Sequence, residues 1–290
     1  VASDSNKNIL DLQEKLKKLE GHLQVLLKNA ENDIELASHI QKKYFQNRLP
    51  SIPGIKCLSR YISSYGLNAD GIDVFTHHKG RDIWVIGYWT QSFGLNSLLT
   101  QTLVNLQTQK SIQSSSDRLD ASQVFDDLSL CLCDAKKQGL YRLFVAKLDT
   151  HSLNFSGFST GSLPIFTREQ RGRAWQTTKF LNSTAFASHV ELLEAANSSA
   201  PITSDRAHAF NHTFSPGTRF FYFGNSWSTG LNFEAIQSVF NFSELAQDSD
   251  LVDDLNHLFI SCQNEMKEHE QSGDLSAIAF EIDARKLHLA

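Results

Sequence analysis

Cysteine is scarce in this chain. The four present, Cys57, Cys131, Cys133 and Cys262, are too scattered for a disulfide framework. Cys131-Leu-Cys133 has the spacing of neither a zinc knuckle nor a redox pair. Free thiols suit a reducing compartment, so a cytoplasmic location is expected. An excess of positive charge is also missing: 27 Lys and Arg stand against 32 Asp and Glu, for a net charge of -5. Nucleic acid is therefore not expected as the main partner. No apolar run is long enough to span a bilayer, and no signal peptide is visible, so no membrane contact is expected within this chain. The chain starts at Val1 rather than Met, which leaves room for an upstream sensor or membrane segment. Five N-x-S/T sequons, at Asn154, Asn182, Asn197, Asn211 and Asn241, are what chance gives a chain rich in Asn and Ser.

Proline is scarce too, and none of the five prolines precedes Pro50. Residues 7–45 carry a helical pattern, which Pro50 and Pro53 end. Ile9, Leu12, Leu16, Leu19, Leu23, Leu26 and Ala30 alternate spacings of three and four, an a/d heptad seam. The phase then slips through Ile34, Ala37, Ile40 or Gln41, and Tyr44, a stutter that unwinds a coiled coil locally. The seam predicts a parallel homodimer from Ile9 to Ala30, with docking onto the chain's own domain after Ile34. Two units follow: a helical signalling linker at 1–47 and a folded domain at 48–290.

Within the domain, strand patterns fall at 55–63, 70–78 and 82–89, and helices at 93–110 and 120–138. Strands follow at 141–149, 152–159 and 163–167, then an ambiguous stretch at 168–205 that includes a short helix pattern, "SHVELLEAAN". "AHAFNHTF" and "TRFFYFGN" read as a strand pair, helices as 232–241 and 248–270, and a last strand as 275–283. Strands close in sequence favour antiparallel hairpins, and the segregated helices make the class α+β.

Common catalytic patterns fail in their contexts. "GFSTG" (157–161) matches the nucleophile elbow G-x-S-x-G, but Ser159 lies between two strand patterns, not at a strand-to-helix turn. His208 and His212 have the spacing of two ligands on a helix. Their segment alternates like a strand, which would set them about 13 Å apart. His77-His78 has no cysteine or carboxylate cluster beside it. Asp248, Asp250, Asp253 and Asp254 stand at a helix start, where carboxylates complement the dipole. Asp70-Gly-Ile-Asp73 puts two carboxylates at a turn-to-strand junction, where an Asp can help hold a hard metal ion.

Six strings in order carry a family resemblance: "ELASHIQKKYFQNRLPSIPGI" (35–55), "NADGIDVF" (68–75), "DIWVIGYWTQSFGLNSLL" (82–99), "FVAKLDTHSLNFSGFSTGSLPIF" (144–166), "SPGTRFFYFGNSW" (215–227) and "GDLSAIAFEI" (273–282). Together they resemble the bacterial PPM-type serine/threonine phosphatases of the SpoIIE/RsbU class. These have a leading helix E-x-A-x-x-I-Q-x-x-L-x-P, a G-G-D-x-x-D-F turn and a strand running into D-x-x-G-x-G. Their later motifs are an F-x-x-L-D hairpin, a Y-T-D-G stretch and a closing D-D-x-T strand. The resemblance implies an α-β-β-α sandwich of two antiparallel sheets. It also implies an active site at one edge, where aspartates hold two Mn²⁺ or Mg²⁺ ions that activate water against phosphoserine or phosphothreonine. In that family the substrates are anti-anti-sigma proteins.

The departures from the family pattern fall on the metal ligands. Asp70 stands at the first metal position, but Tyr88 stands where D-x-x-G-x-G begins, Gly224 at the Asp of Y-T-D-G and Gly273 at the first Asp of D-D-x-T, with Asp274 one place late. Neutral Tyr and Gly cannot balance the charge of two divalent ions. The resemblance then implies a degenerate member, a pseudophosphatase with no cofactor and no catalytic residue. It would act by binding a regulatory protein, such as an anti-sigma antagonist, in bacterial signal transduction. Trp89, Phe93, Tyr222 and Trp227 are candidates for an apolar binding surface at the old cleft, with core filling as the other reading. The alternative is an active Mn²⁺- or Mg²⁺-dependent protein phosphatase with rearranged ligands drawn from Asp70, Asp73, Asp274 and His77. The sequence leaves open whether the chain is an enzyme.

Overall fold

The computed structural model of the protein describes residues 2–44, 49–63, 67, 70–77, 80–90, 95–113, 119–135, 141–160, 165–171, 174–179, 201–224, 249–268 and 274–283. Helix α1 (Ala2–Tyr44) leads into β1 (Ile55–Ile62), β2 (Asp70–His77) and β3 (Asp82–Thr90). Helices α2 (Leu95–Gln113) and α3 (Ala121–Ala135) follow, then β4 (Tyr141–Asp149), β5 (Asn154–Ser159), β6 (Ile165–Arg171) and β7 (Ala174–Lys179). After β8 (His208–Thr213) and β9 (Arg219–Phe223), helix α4 (Leu251–Glu268) and β10 (Leu275–Ile282) complete the described elements.

The described strands form two five-stranded sheets, ordered β1-β10-β9-β6-β7 and β2-β3-β4-β5-β8, and neighbouring strands run antiparallel throughout. Three apolar layers hold them. Between the sheets lie Ile72, Val74, Ile83, Val85, Phe144 and Phe155 from one and Phe220, Tyr222, Ile278 and Phe280 from the other. Outside the β2–β8 sheet, Trp84, Ile86, Tyr88 and Leu143 pack on Val104, Phe125, Leu128 and Leu132 of α2 and α3. Outside the other sheet, Phe221, Phe223 and Ala277 pack on Leu255, Leu258 and Phe259 of α4. Central strands are thus buried on both faces, which is why "DIWVIGYW" and "LSAIAFEI" read as near-continuous apolar runs rather than alternating ones. The result is the expected sandwich, with a helical layer on each side.

Two features depart from the sequence reading. "AHAFNHTF" and "TRFFYFGN" are not a pair: β8 closes one sheet against β5, while β9 sits inside the other between β10 and β6. The turn at Pro216-Gly217 carries the chain across. Gly217 adopts φ +84° and donates its N–H to Ile282 O (2.8 Å). Second, part of the ambiguous 168–205 stretch is regular, since β6 and β7 form a hairpin. The short helix pattern in "SHVELLEAAN" and the helix expected at 232–241 lie outside the described residues. Ser159 ends β5 within the sheet, so "GFSTG" has no strand-to-helix elbow.

The start of α4 holds more than dipole complementarity. Asp250 caps it, accepting from the N–H groups of Val252 (2.7 Å) and Asp253 (2.9 Å), and these bonds hold its carboxyl below the usual range. Asp254 instead turns inward and is fully buried. It accepts from Arg168 of β6 (2.7 Å) and Arg219 of β9 (2.7 Å), and from the Ser249 hydroxyl. Arg219 also donates from Nε to Glu281 of β10 (2.9 Å). This network clamps α4 to three strands.

Candidate functional site at the end of the cleft

Strand parity decides which side chains can meet. On β2, Ile72 and Val74 point between the sheets, so Asp70 does too, while Asp73 faces the helices with Phe75. On β3, Ile83 and Val85 point between the sheets, as does Trp89, while Trp84, Ile86 and Tyr88 face the helices. On β4 the inward set is Arg142, Phe144, Ala146 and Leu148. On β9 and β10 it includes Tyr222 and Ile278, hence also Gly224, Asp274 and Ser276.

These parities gather Asp70, Gly224, Asp274 and Ser276 at one end of the cleft. Asp70 is 1% exposed, and its Oδ2 accepts a bond from Ser276 Oγ (3.2 Å). Gly224 is required there by close approach: a Cβ on it would lie 2.1 Å from Ser276 Oγ and 2.5 Å from Asp70 Oδ2. Asp274 directly precedes β10, two residues before Ser276 and about 6.6 Å away along the extended chain. It accepts from Ser63 Oγ (3.2 Å).

Tyr88 does not join them. It is buried against the helices, with its ring over Gly71, where a Cβ would meet Tyr88 Cζ at 2.0 Å. The residue opposite Asp70 is Trp89, and the residue opposite Trp89 on β4 is Arg142. One row thus runs Asp70–Trp89–Arg142 across three strands on the cleft face. Arg142 Cζ lies 5.6 Å from the Trp89 ring centroid, within cation–π range. Burial lowers the Arg142 pKa, and the negative charge of Asp70 works against that. The guanidinium stays protonated in any case.

Tyr222 is also displaced from its candidate role. It is 1% exposed and stacks on Phe144, centroids 4.9 Å apart, with its hydroxyl over Gly87. It is core filling rather than a binding surface. Trp89 is half-buried. Phe93, Trp227 and Gly273 lie outside the described residues.

Asp73 has the opposite strand parity from Asp70. Its Oδ2 is buried without a hydrogen-bond partner, beside a void of about 10 Å³ lined by Tyr61, Asp70, Tyr88 and Gln101, room for about one water. Burial pushes its carboxyl up to about 7, against a hydrogen bond with Asn105 that lowers it. His77 has the parity of Asp73, so of the set Asp70, Asp73, Asp274 and His77 the three on β2 are split between its two faces, while Asp274 stands just before β10 in the other sheet. The described residues do not fit a dinuclear Mn²⁺ or Mg²⁺ site: the row beside Asp70 continues with an indole and a guanidinium, and Gly224 leaves no space for a carboxylate.

Helix α1 reaches this end of the cleft. Ala37 and Gln41 are buried, and Gln41 Nε2 donates to Gln101 Oε1 of α2 (2.9 Å). Gln101 Nε2 in turn donates to the backbone O of Asp70 (3.1 Å).

No family model and no curated protein sequence matches the chain. Solved structures do. The SiaA PP2C domain of Pseudomonas aeruginosa aligns with TM-score 0.60 at 11% identity, over 89% of this chain and 99% of that one. The fold is that of a PP2C phosphatase domain. The PP2C domain of SpoIIE from Bacillus subtilis, solved with a fragment of its regulatory domain, aligns with TM-score 0.55 at 11% identity, covering 80% of this chain. The RsbU and RsbW domains of a Mycobacterium tuberculosis protein align with TM-score 0.53 at 12% identity, covering 81%. The chain spans 62% and 63% of the length of those two structures. Among the described residues no helix is long and apolar enough to cross a membrane.

Sequence reasoning missed Arg142, Ser276 and Gln101. Arg142 carried a signal: in "YRLFVAKLD" it is the charged residue that shares the parity of Phe144, Ala146 and Leu148.

Proposed function

We propose that the chain is a catalytically inactive PP2C-type domain that acts by binding a signalling protein, as a cytoplasmic regulatory module of bacterial signal transduction. The row Asp70–Trp89–Arg142 carries this reading. A fixed guanidinium and an indole flank the buried carboxylate that would begin a metal site. Metal ions there would meet positive charge on one side and a glycine with no ligand on the other.

Residues 1–47 act as the signalling linker and 48–290 as the binding domain. Leu12, Leu16, Leu19, Leu23 and Leu26 on α1 are 59–68% exposed, which favours a second copy as their partner through the heptad seam. Helix α2 adds Leu99, Leu103 and Leu106, exposed in one stripe while Ser97, Gln101 and Thr108 are buried beneath. This inverted polarity supports protein docking on that face. The hydrogen bonds from Gln41 through Gln101 to Asp70 offer a route by which movement of α1 reaches the cleft.

Calorimetric titration with Mn²⁺, beside an assay of phosphoserine-peptide turnover, tests the proposal. It expects no submillimolar binding and no turnover. Turnover that disappears in Asp70→Ala would overturn it in favour of an active phosphatase.

A further inference from the structure

Arg142 is a half-buried cation whose side chain makes no hydrogen bond to another of the described residues. Its Nε is buried without a hydrogen-bond partner, although buried donors are nearly always paired. Among the described residues no carboxylate lies within ion-pair distance of it. The Trp89 ring, 5.6 Å from Cζ, holds the guanidinium plane in place at the end of the cleft. Such a preorganised fork of N–H groups matches two oxygens of one oxyanion.

We propose that Arg142, backed by Trp89, forms a metal-independent oxyanion site that takes a phosphate group at the mouth of the cleft. The charge arrangement favours phosphate over a carboxylate. Asp70 is buried and Arg142 is half-buried, so the pair presents its positive end outward. A phosphate monoester with charge near −2 gains about twice what a monoanion gains from that dipole. The phosphate can be free or carried on a side chain of a protein partner. Trp89, itself half-buried, offers apolar contact to the chain around such a side chain. The proposal rests on the inactive-domain reading only in needing no metal.

The test is calorimetric titration of the full chain, in chelator, with inorganic phosphate and with matched serine and phosphoserine peptides. Millimolar binding of phosphate is expected, weakened about tenfold or more in Arg142→Gln, since a charge-assisted hydrogen bond is lost. Asp70→Asn should tighten binding by about two- to fivefold, by removing a nearby negative charge. This second variant keeps the test sound where Arg142→Gln fails to fold. Stronger binding of the phosphoserine peptide than of phosphate assigns the site to a phosphoprotein, and equal binding assigns it to the free anion. Equal affinity in wild type and folded Arg142→Gln, or weaker binding in Asp70→Asn, overturns the site. No binding with or without Mn²⁺ overturns it while leaving the inactive-domain reading intact. Binding that appears only with Mn²⁺ overturns both.

Discussion

Gly224→Asp asks the cleft directly whether it can accept the carboxylate it lacks. The glycine sits so close to Asp70 and Ser276 that any Cβ forces both side chains to move. Both neighbours are buried, so Gly224→Ala alone should cost about 1–3 kcal/mol through overpacking. The aspartate adds charge. Two carboxylates about 4 Å apart repel by about 4 kcal/mol at an effective dielectric constant near 20. Protonating one of them relieves the repulsion, which at pH 7 costs about 1.4 kcal/mol for each unit above a normal pKa near 4, again about 4 kcal/mol. The excess of Gly224→Asp over Gly224→Ala is therefore capped near 4 kcal/mol at pH 7.

The pH dependence has a definite sign. The pair's folded pKa is raised above its unfolded value, so stability is retained below about pH 4 and lost as pH rises. The gap between the two variants should grow from near zero at pH 4 by about 1.4 kcal/mol per unit. Urea unfolding of wild type and both variants across this range measures it, repeated in an Asp70→Asn background. A gap that does not change with pH, or that survives Asp70→Asn, would refute the placement of Gly224 against Asp70.

Three further outcomes follow from other parts of the molecule. Asp254→Ala removes the carboxylate paired with the buried guanidinium of Arg168 and cuts one bond of Arg219, and should cost about 3–5 kcal/mol in urea unfolding; a loss below about 1 kcal/mol would mean the network is solvated. Leu16→Lys with Leu23→Lys, or removal of residues 1–33, should convert a dimer to a monomer by light scattering, and a monomeric wild type would end the coiled-coil reading. Asp73→Asn removes a carboxyl whose folded pKa, about 7, lies above its ordinary value. Wild-type stability tied to that group is present below about pH 4 and lost as pH rises to 7, so the variant should be more stable at pH 8 by about 2 kcal/mol, allowing for partial exposure, with no difference near pH 4.

The sandwich was legible because each layer wrote its own pattern. Strands buried on both faces became apolar runs, and hairpins sat close in sequence. The α1 docking point was legible as the phase slip, and the structure resolves its open choice in favour of Gln41, which is buried, while Ile40 is 36% exposed. Pairing between distant strands was not legible. Nothing local to "AHAFNHTF" tells that its neighbour is β5 rather than β9, because the partner is chosen by which layer needs an edge.

The site shows why a resemblance at this distance finds the region and misses the residue. Motif order brought Asp70, Gly224 and Asp274 to one end of the cleft from strings that are individually loose. On a strand, however, a slip of one position turns every side chain to the other face. Tyr88, read from the sequence as a cleft residue, faces the helices, and its neighbour Trp89 takes the cleft face; that one-position difference is enough to hide Arg142. Tyr88 pairs across β3 and β4 with Leu143, which faces the helices, whereas Trp89 pairs with Arg142. Once the register is fixed, the row on the cleft face is seen to hold a cation as well as a carboxylate. Arg142 puts a positive charge in the same cross-strand row as Asp70, and the titrations with phosphate and with Mn²⁺ decide between an anion and a cation as what that end of the cleft takes.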